Sequence, residues 1–324
     1  MVFTIYLDQN MWIGLKNAVS GSAGGARFAG LPAACQAAVD EGLCRFVLSY
    51  SHYEETARRP QLKDREQLAT VMAMLSRFHT IAIPQDIIRH ELRLALFDQF
   101  DVEGERPSYS PFGIGADFAM GFDLIADGLS RIQIPTMFVE AAREALEFRL
   151  LVGPDADHAD LTFDARMSRT NNARYVEHRN AVGNRMKDWS KDRDRANRFA
   201  LASELVELLP MIEEVGEPMG INISVLAATG RAGMEEFLGR LPMESIVQSL
   251  HRASLLSDRS WTLNDHNDVV YLSSAAAYCD AVIGERHWTS KLREPRCPAR
   301  ARYILSSPEE FKDLIHGLAS RSIA

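Results

Sequence analysis

Two apolar, strand-like runs that end among acids stand at opposite ends of this chain, and they constrain its fold more than any other feature. The first is Thr4-Ile5-Tyr6-Leu7, closing on Asp8-Gln9-Asn10. The second, Ala281-Val282-Ile283, leads into Gly284-Glu285 and follows a segment that opens with Asn264-Asp265-His266-Asn267-Asp268. More than two hundred residues of mostly helical sequence separate them. Open α/β sheets place their chemistry at the carboxyl ends of their strands, and these acids fall there. Several carboxylates converging at such an edge are hard to keep charged without a hard divalent cation among them.

Between these ends the pattern changes once. Strand-like Thr4–Leu7, Arg45–Leu48 and Thr80–Ile83 alternate with helical segments over 11–19, 33–41, 65–78 and 85–97, as in a parallel sheet. Residues 101–117, with Pro107, Pro111 and several glycines, read as a loop. From about Pro135 to Leu256 the periodicity is helical. Strand-like sequence returns at 281–283 and 302–305, followed by a helix from Pro308. The expected organisation is one discontinuous α/β domain, residues 1–100 and 257–324, with residues 101–256 inserted as a helical region or lid.

Composition narrows the class. With 324 residues, 46% hydrophobic and 25% charged, the chain matches a globular protein with a full core. No run has the roughly 18 apolar residues of a membrane span, and Met1-Val2-Phe3-Thr4 lacks the basic region of a signal peptide. A cytoplasmic protein is expected. Cys35, Cys44, Cys279 and Cys297 lack CxxC spacing and read as buried thiols rather than zinc ligands. The loop Ser20–Gly25 fits neither GxGxxG nor a Walker A pattern.

Asp8, at a strand tip, is the first candidate ligand. Glu54 and Glu55 begin the helix after the second strand, Asp265 and Asp268 lie three residues apart at the start of a late helix, and Glu285 follows the strand 281–283. Each has an ordinary alternative, since acids at helix amino termini serve as caps and dipole partners. What favours a site is that they fall at every strand edge that could share one cleft.

Leu7-Asp8-Gln9-Asn10, Ser51-His52-Tyr53-Glu54-Glu55-Thr56, the Asn-Asp-x-x-Asp opening and Tyr278-Cys279-Asp280-Ala281-Val282-Ile283-Gly284-Glu285-Arg286-His287-Trp288 together resemble segments of PIN-like nuclease domains. The resemblance covers about 160 residues at the two ends of the chain. It implies a three-layer α/β/α fold with a mostly parallel sheet, and hydrolysis of RNA by Mg²⁺ or Mn²⁺ held on three or four acids. By position it implies Asp8, Glu55, Asp268 and Glu285 as catalytic metal ligands with Asp265 beside them, and Asn10, Glu54 and Asp280 in support. The order around His52 favours Glu55 over Glu54, whereas spacing from Ser49 favours Glu54; Glu55 is the expectation adopted. The family's Thr or Ser two residues before the last acid is absent, since Ile283-Gly284 stands there.

A toxin, a defence effector or an RNA-processing enzyme all fit this resemblance. RNA is the partner expected, with an inhibitory protein and a second copy of the chain as further candidates and no membrane. A catalytically weak PIN-like module that binds or scaffolds is the alternative. Although the formal net charge is −8, residues 166–198 hold ten Lys or Arg against four acids, interleaved with Tyr175, His178 and Trp189. Arg166, Arg169, Arg174 and Arg179 are accordingly candidate RNA contacts, set against a solvated helix face of alternating charge.

Overall fold

The computed structural model describes residues 2–130, 135–154, 176–177, 180–181, 184, 193–255 and 262–322. Arg166, Arg169, Arg174 and Arg179 lie outside these residues. The chain is mixed α/β, built on four parallel strands: β1 (Phe3–Leu7), β2 (Cys44–Val47), β5 (Ala281–Ile283) and β6 (Tyr303–Leu305), in the order β2-β1-β5-β6. The two ends of the chain therefore meet at the sheet's centre, where Ile5 pairs with Ala281 and Leu7 with Ile283.

Alternation along the strands feeds a different core on each face. Ile5, Leu7, Phe46 and Ile283 pack with Trp12 and Leu15 of α1 (Gln9–Val19), Leu68 and Met72 of α4 (Leu62–Ser76), and Phe311 of α15 (Pro308–Ser322). Tyr6, Val47 and Val282 point the other way. They meet Ile87 of α5 (Pro84–Gln99), Ile246 and Leu250 of α12 (Pro242–Leu255), and Val269, Leu272 and Ala276 of α13 (Leu263–Tyr278). A third cluster joins Leu92 and Leu96 of α5 to Leu208 and Ile212 of α9 (Arg193–Gly216) and Phe237 of α11 (Gly230–Gly239). The middle of the chain thus adds helices to the cores that the ends begin.

Two expectations change. The third strand, β3 (His79–Ile81), keeps the expected parallel sense at its bridge to the main sheet, where Leu48 N–H bonds His79 O at 2.9 Å and Leu48 O accepts from Ile81 N at 2.8 Å, but its other side pairs antiparallel with β4 (Phe112–Ile114). The segment read as a loop over 101–117 holds β4 and the start of α6 (Gly115–Met120). Gly115, at φ +90°, makes the turn between them, and a Cβ there would lie 2.0 Å from Glu147 Oε1. The other Glu147 oxygen accepts from Ala116 N at 2.7 Å. Long-range partners of this kind override local Pro and Gly content. Among the described residues no helix is long and apolar enough to cross a membrane, and all four cysteines are free thiols.

Candidate functional site

At the carboxyl edge of the sheet, β1 gives way to α1 through Asp8. Its N–H bonds Ile283 O at 2.8 Å, extending the β1–β5 ladder by one residue, and its Oδ1 caps α1 by accepting from Gln9 N at 2.7 Å. Gly284 lies alongside: a Cβ there would stand 3.6 Å from Asp8 Cβ and 3.3 Å from Leu272 Cδ2. The missing side chain lets α13 close on the strand tips. Ile283, where the family pattern has a hydroxyl, is wholly buried in the apolar core.

Glu285 stands at the N-cap position of α14 (Arg286–Leu292), its side chain making no cap hydrogen bond, and is exposed. Asn10 Nδ2 donates to Glu285 Oε1 at 2.6 Å. Asn10 therefore steadies Glu285, while Asp8 caps α1.

The third segment is α3 (Tyr50–Ala57), whose first turn is closed by Ser49 and His52 in a capping box. Glu54 is buried and paired with Arg58. Glu55, half-buried, is within electrostatic reach of Asp8 and Glu285. On α13, Asp265 and Asp268 separate. The Oδ2 of Asp265 accepts from the N–H and hydroxyl of Thr262, at 2.8 and 2.7 Å, closing the helix start. Asp268, one turn on, feels Asp8, Glu55, Glu285 and Asp265. Asp280 stands elsewhere: its Oδ2 accepts from Thr4 N at 2.8 Å, at the amino edge of the sheet. The expectation that it supports the cleft is corrected, because a residue before β5 is a strand's length from one after it.

Electrostatics tie the four remaining acids together. Burial pushes the Asp8 carboxyl up to about 6, with the charge of Glu285 adding to it and the Gln9 N–H opposing. Glu55 is pushed up to about 8, by burial first and then by Asp8 and Glu54. Asp268 is also pushed up to about 8, by burial and then by Asp8, Glu55 and Glu285. Among the described residues, no three His, Cys, Asp or Glu side chains are drawn close enough to hold a metal ion as they stand. The carboxylates nevertheless feel one another's charge. Their donor set suits a hard cation, since it is all oxygen, and a cation would relieve their mutual repulsion.

Beneath the acids lies a polar layer that the residue pattern did not point to. His52 is buried, with Nδ1 accepting from Ser49 N at 2.8 Å, so Nε2 carries the proton and donates to Leu7 O at 2.8 Å. Tyr6 Oη lies 3.3 Å from Ser49 Oγ, which is 2.9 Å from Ser51 Oγ. The available signal was a Ser-x-x-His spacing at a helix start, a variant of the capping box. No protein-family model, curated protein or solved structure matches the chain.

Proposed function

We propose that this chain is a PIN-like, three-layer α/β/α nuclease that hydrolyses RNA phosphodiester bonds with Mg²⁺ or Mn²⁺ held by Asp8, Glu55, Asp268 and Glu285. The observation that carries this reading is the convergence of four carboxylates, from β1, α3, α13 and the β5–α14 turn, at one edge of a parallel sheet. The two-sided helical cover of that sheet supports the layer arrangement.

A divalent cation, when bound, supplies Lewis acidity toward a phosphoryl oxygen and lowers the pKa of water. The protein's own part is positional. Asp8 is fixed by the strand ladder and its cap, Glu285 by Asn10, and Glu55 by the His52 capping box. Glu54, held by Arg58, stays out of the cleft, and Asp265 keeps the end of α13 closed so that Asp268 is presented one turn on. Arg166, Arg169, Arg174 and Arg179 are proposed as RNA contacts on the same reading.

A second reading, a PIN-like module that binds without cutting, is favoured by one observation: the four acids are not gathered into a ready ligand set. Cleavage of single-stranded RNA by wild type and Asp8→Asn, titrated with Mn²⁺ and then treated with a chelator, separates the two. Hydrolysis by wild type alone, abolished by the chelator, is expected. RNA binding without metal-dependent cleavage would select the second reading.

A further inference from the structure

Residues 286–302 carry Arg286, Lys291, Arg293, Arg296, Arg300 and Arg302 against one acid, Glu294, in a chain of net charge −8. Three of the six cations, Arg293, Lys291 and Arg302, have side-chain or carbonyl partners within the fold. Arg293 donates to Ile304 O at 2.6 Å and pairs with Glu310, which shields the outer edge of β6. Lys291 lies over the Trp288 ring, 5.9 Å from its centroid. Arg286, Arg296, Arg300 and Arg302 are exposed and have no ion-pair partner among the described residues. Several surface arginines elsewhere are neutralised: Arg27 by Glu309, Arg106 by Asp98, Arg231 by Glu235 and Arg240 by Glu236.

The order of these cations along the fold has a direction. Arg286 follows Glu285 at the carboxyl edge, next to the acidic cleft. Arg300 is tied by its backbone N–H to Ala276 O at 2.8 Å, and Arg302 precedes β6 at the amino edge, its guanidinium 5.3 Å from the Tyr303 ring centroid. Arg286 at the carboxyl edge and Arg302 at the amino edge, with Arg296 in the connection between α14 and β6, do not converge on a point, which suits a polyanion better than a single anion.

We propose that this β6 flank carries single-stranded RNA away from the acidic cleft, with phosphates on Arg286, Arg296 and Arg302 and a base against the Arg302–Tyr303 pair. The inference rests on the hydrolytic reading for the position of the scissile phosphate. Phosphate contacts supply affinity and guanidinium or aromatic faces stack bases without demanding a sequence. The cations also offset the repulsion that a cleft of carboxylates presents to a phosphate backbone. A protein strand adding to β6 fits less well, because Arg293 already occupies a carbonyl of that edge.

The test is the salt dependence of binding, read by fluorescence anisotropy with a labelled, unstructured single-stranded RNA in chelator, so that no cleavage is needed. R286Q/R296Q/R302Q is compared with R106Q/R231Q/R240Q, which changes net charge equally away from the β6 flank. From roughly 50 to 200 mM salt the log–log slope should fall by about 2 in the strip variant, at about 0.7 per lost contact, and by about 0.7 in R286Q alone. The control variant should keep the wild-type slope. Equal slopes in both triple variants, no RNA binding by wild type, or a loss seen only with duplex RNA would overturn the proposal. Loss of slope in a protein that never cleaves in Mn²⁺ would sink the hydrolytic reading and leave the strip standing. Cleavage with an unchanged slope would do the reverse.

Discussion

The imidazole of His52 joins the two segments that present Asp8 and Glu55, donating to the carbonyl of Leu7 and accepting from the N–H of Ser49, each at 2.8 Å. One side chain thus sets the spacing between the tip of β1 and the start of α3. Burial holds its pKa down at about 4, with the contact to the Leu7 carbonyl opposing, so the neutral ring is the resident form.

His52→Phe keeps an aromatic ring but leaves Leu7 O and Ser49 N without their partner. Each unsatisfied backbone group costs about 1–3 kcal/mol, so a urea melt should show a loss of about 2–5 kcal/mol. A group whose folded pKa lies below its unfolded value contributes stability that is complete above the unfolded value, about 6.5, and lost as pH falls through about 4. The wild type should weaken over that acid range and the variant should not show this component. An unchanged melt at neutral pH would remove His52 from its positioning role.

Asp268→Asn should abolish cleavage and stabilise the metal-free protein at pH 8. A carboxyl raised in the fold contributes stability that is complete below its unfolded value, about 4, and lost as pH climbs through the folded value, about 8 for Asp268 and Glu55. Removing one charge from the cluster should recover roughly 1–3 kcal/mol at pH 8 and little at pH 4. Glu91, buried against Tyr278 Oη at 2.6 Å and Met243 N at 2.8 Å and pushed up to about 7 by burial, adds a loss of the same sign. The pH dependence should therefore flatten without disappearing. Thermal melts in chelator at the two pH values decide it, and a variant less stable than wild type at pH 8 would contradict mutual repulsion.

Glu54→Gln and Glu55→Gln should fail in opposite ways. Glu54 is buried with Arg58, so its loss should lower stability by about 1–3 kcal/mol with activity largely kept. Glu55→Gln should remove at least about 100-fold of kcat/KM, with the fold as stable as before or more so. Equal, mild effects on rate would mean that neither residue takes part in the site.

Asn10→Ala frees Glu285 at an exposed position. Stability should stay within about 0.5 kcal/mol, while loss of an orienting partner should weaken Mn²⁺ affinity by about 10–100-fold. Calorimetric titration with Mn²⁺ reads this directly, and unchanged affinity would mean that Glu285 needs no partner.

Local sequence carried the strands and many of the helices. The apolar run Thr4–Leu7, the run Ala281–Ile283 and the 3.6-residue spacing of α4 and α5 are legible because burial imposes the period on the residues themselves. The same runs placed Asp8 and Glu285 at strand tips. Composition and spacing could not say which acid each helix start would spend on its own cap, because capping and coordination call for the same residue type. Only the packed chain turned Asp265 back to Thr262 and left Asp268 in the cleft, paired Glu54 with Arg58 and left Glu55 facing Asp8, and sent Asp280 to the far edge. It also made a strand of Phe112–Ile114 in a stretch rich in Pro and Gly, since pairing with His79–Ile81 supplies hydrogen bonds that no local pattern announces. Periodicity is a property of neighbours in sequence; the partner of a polar group is fixed by residues that may be hundreds of positions away, as Asn10 and Glu285 are.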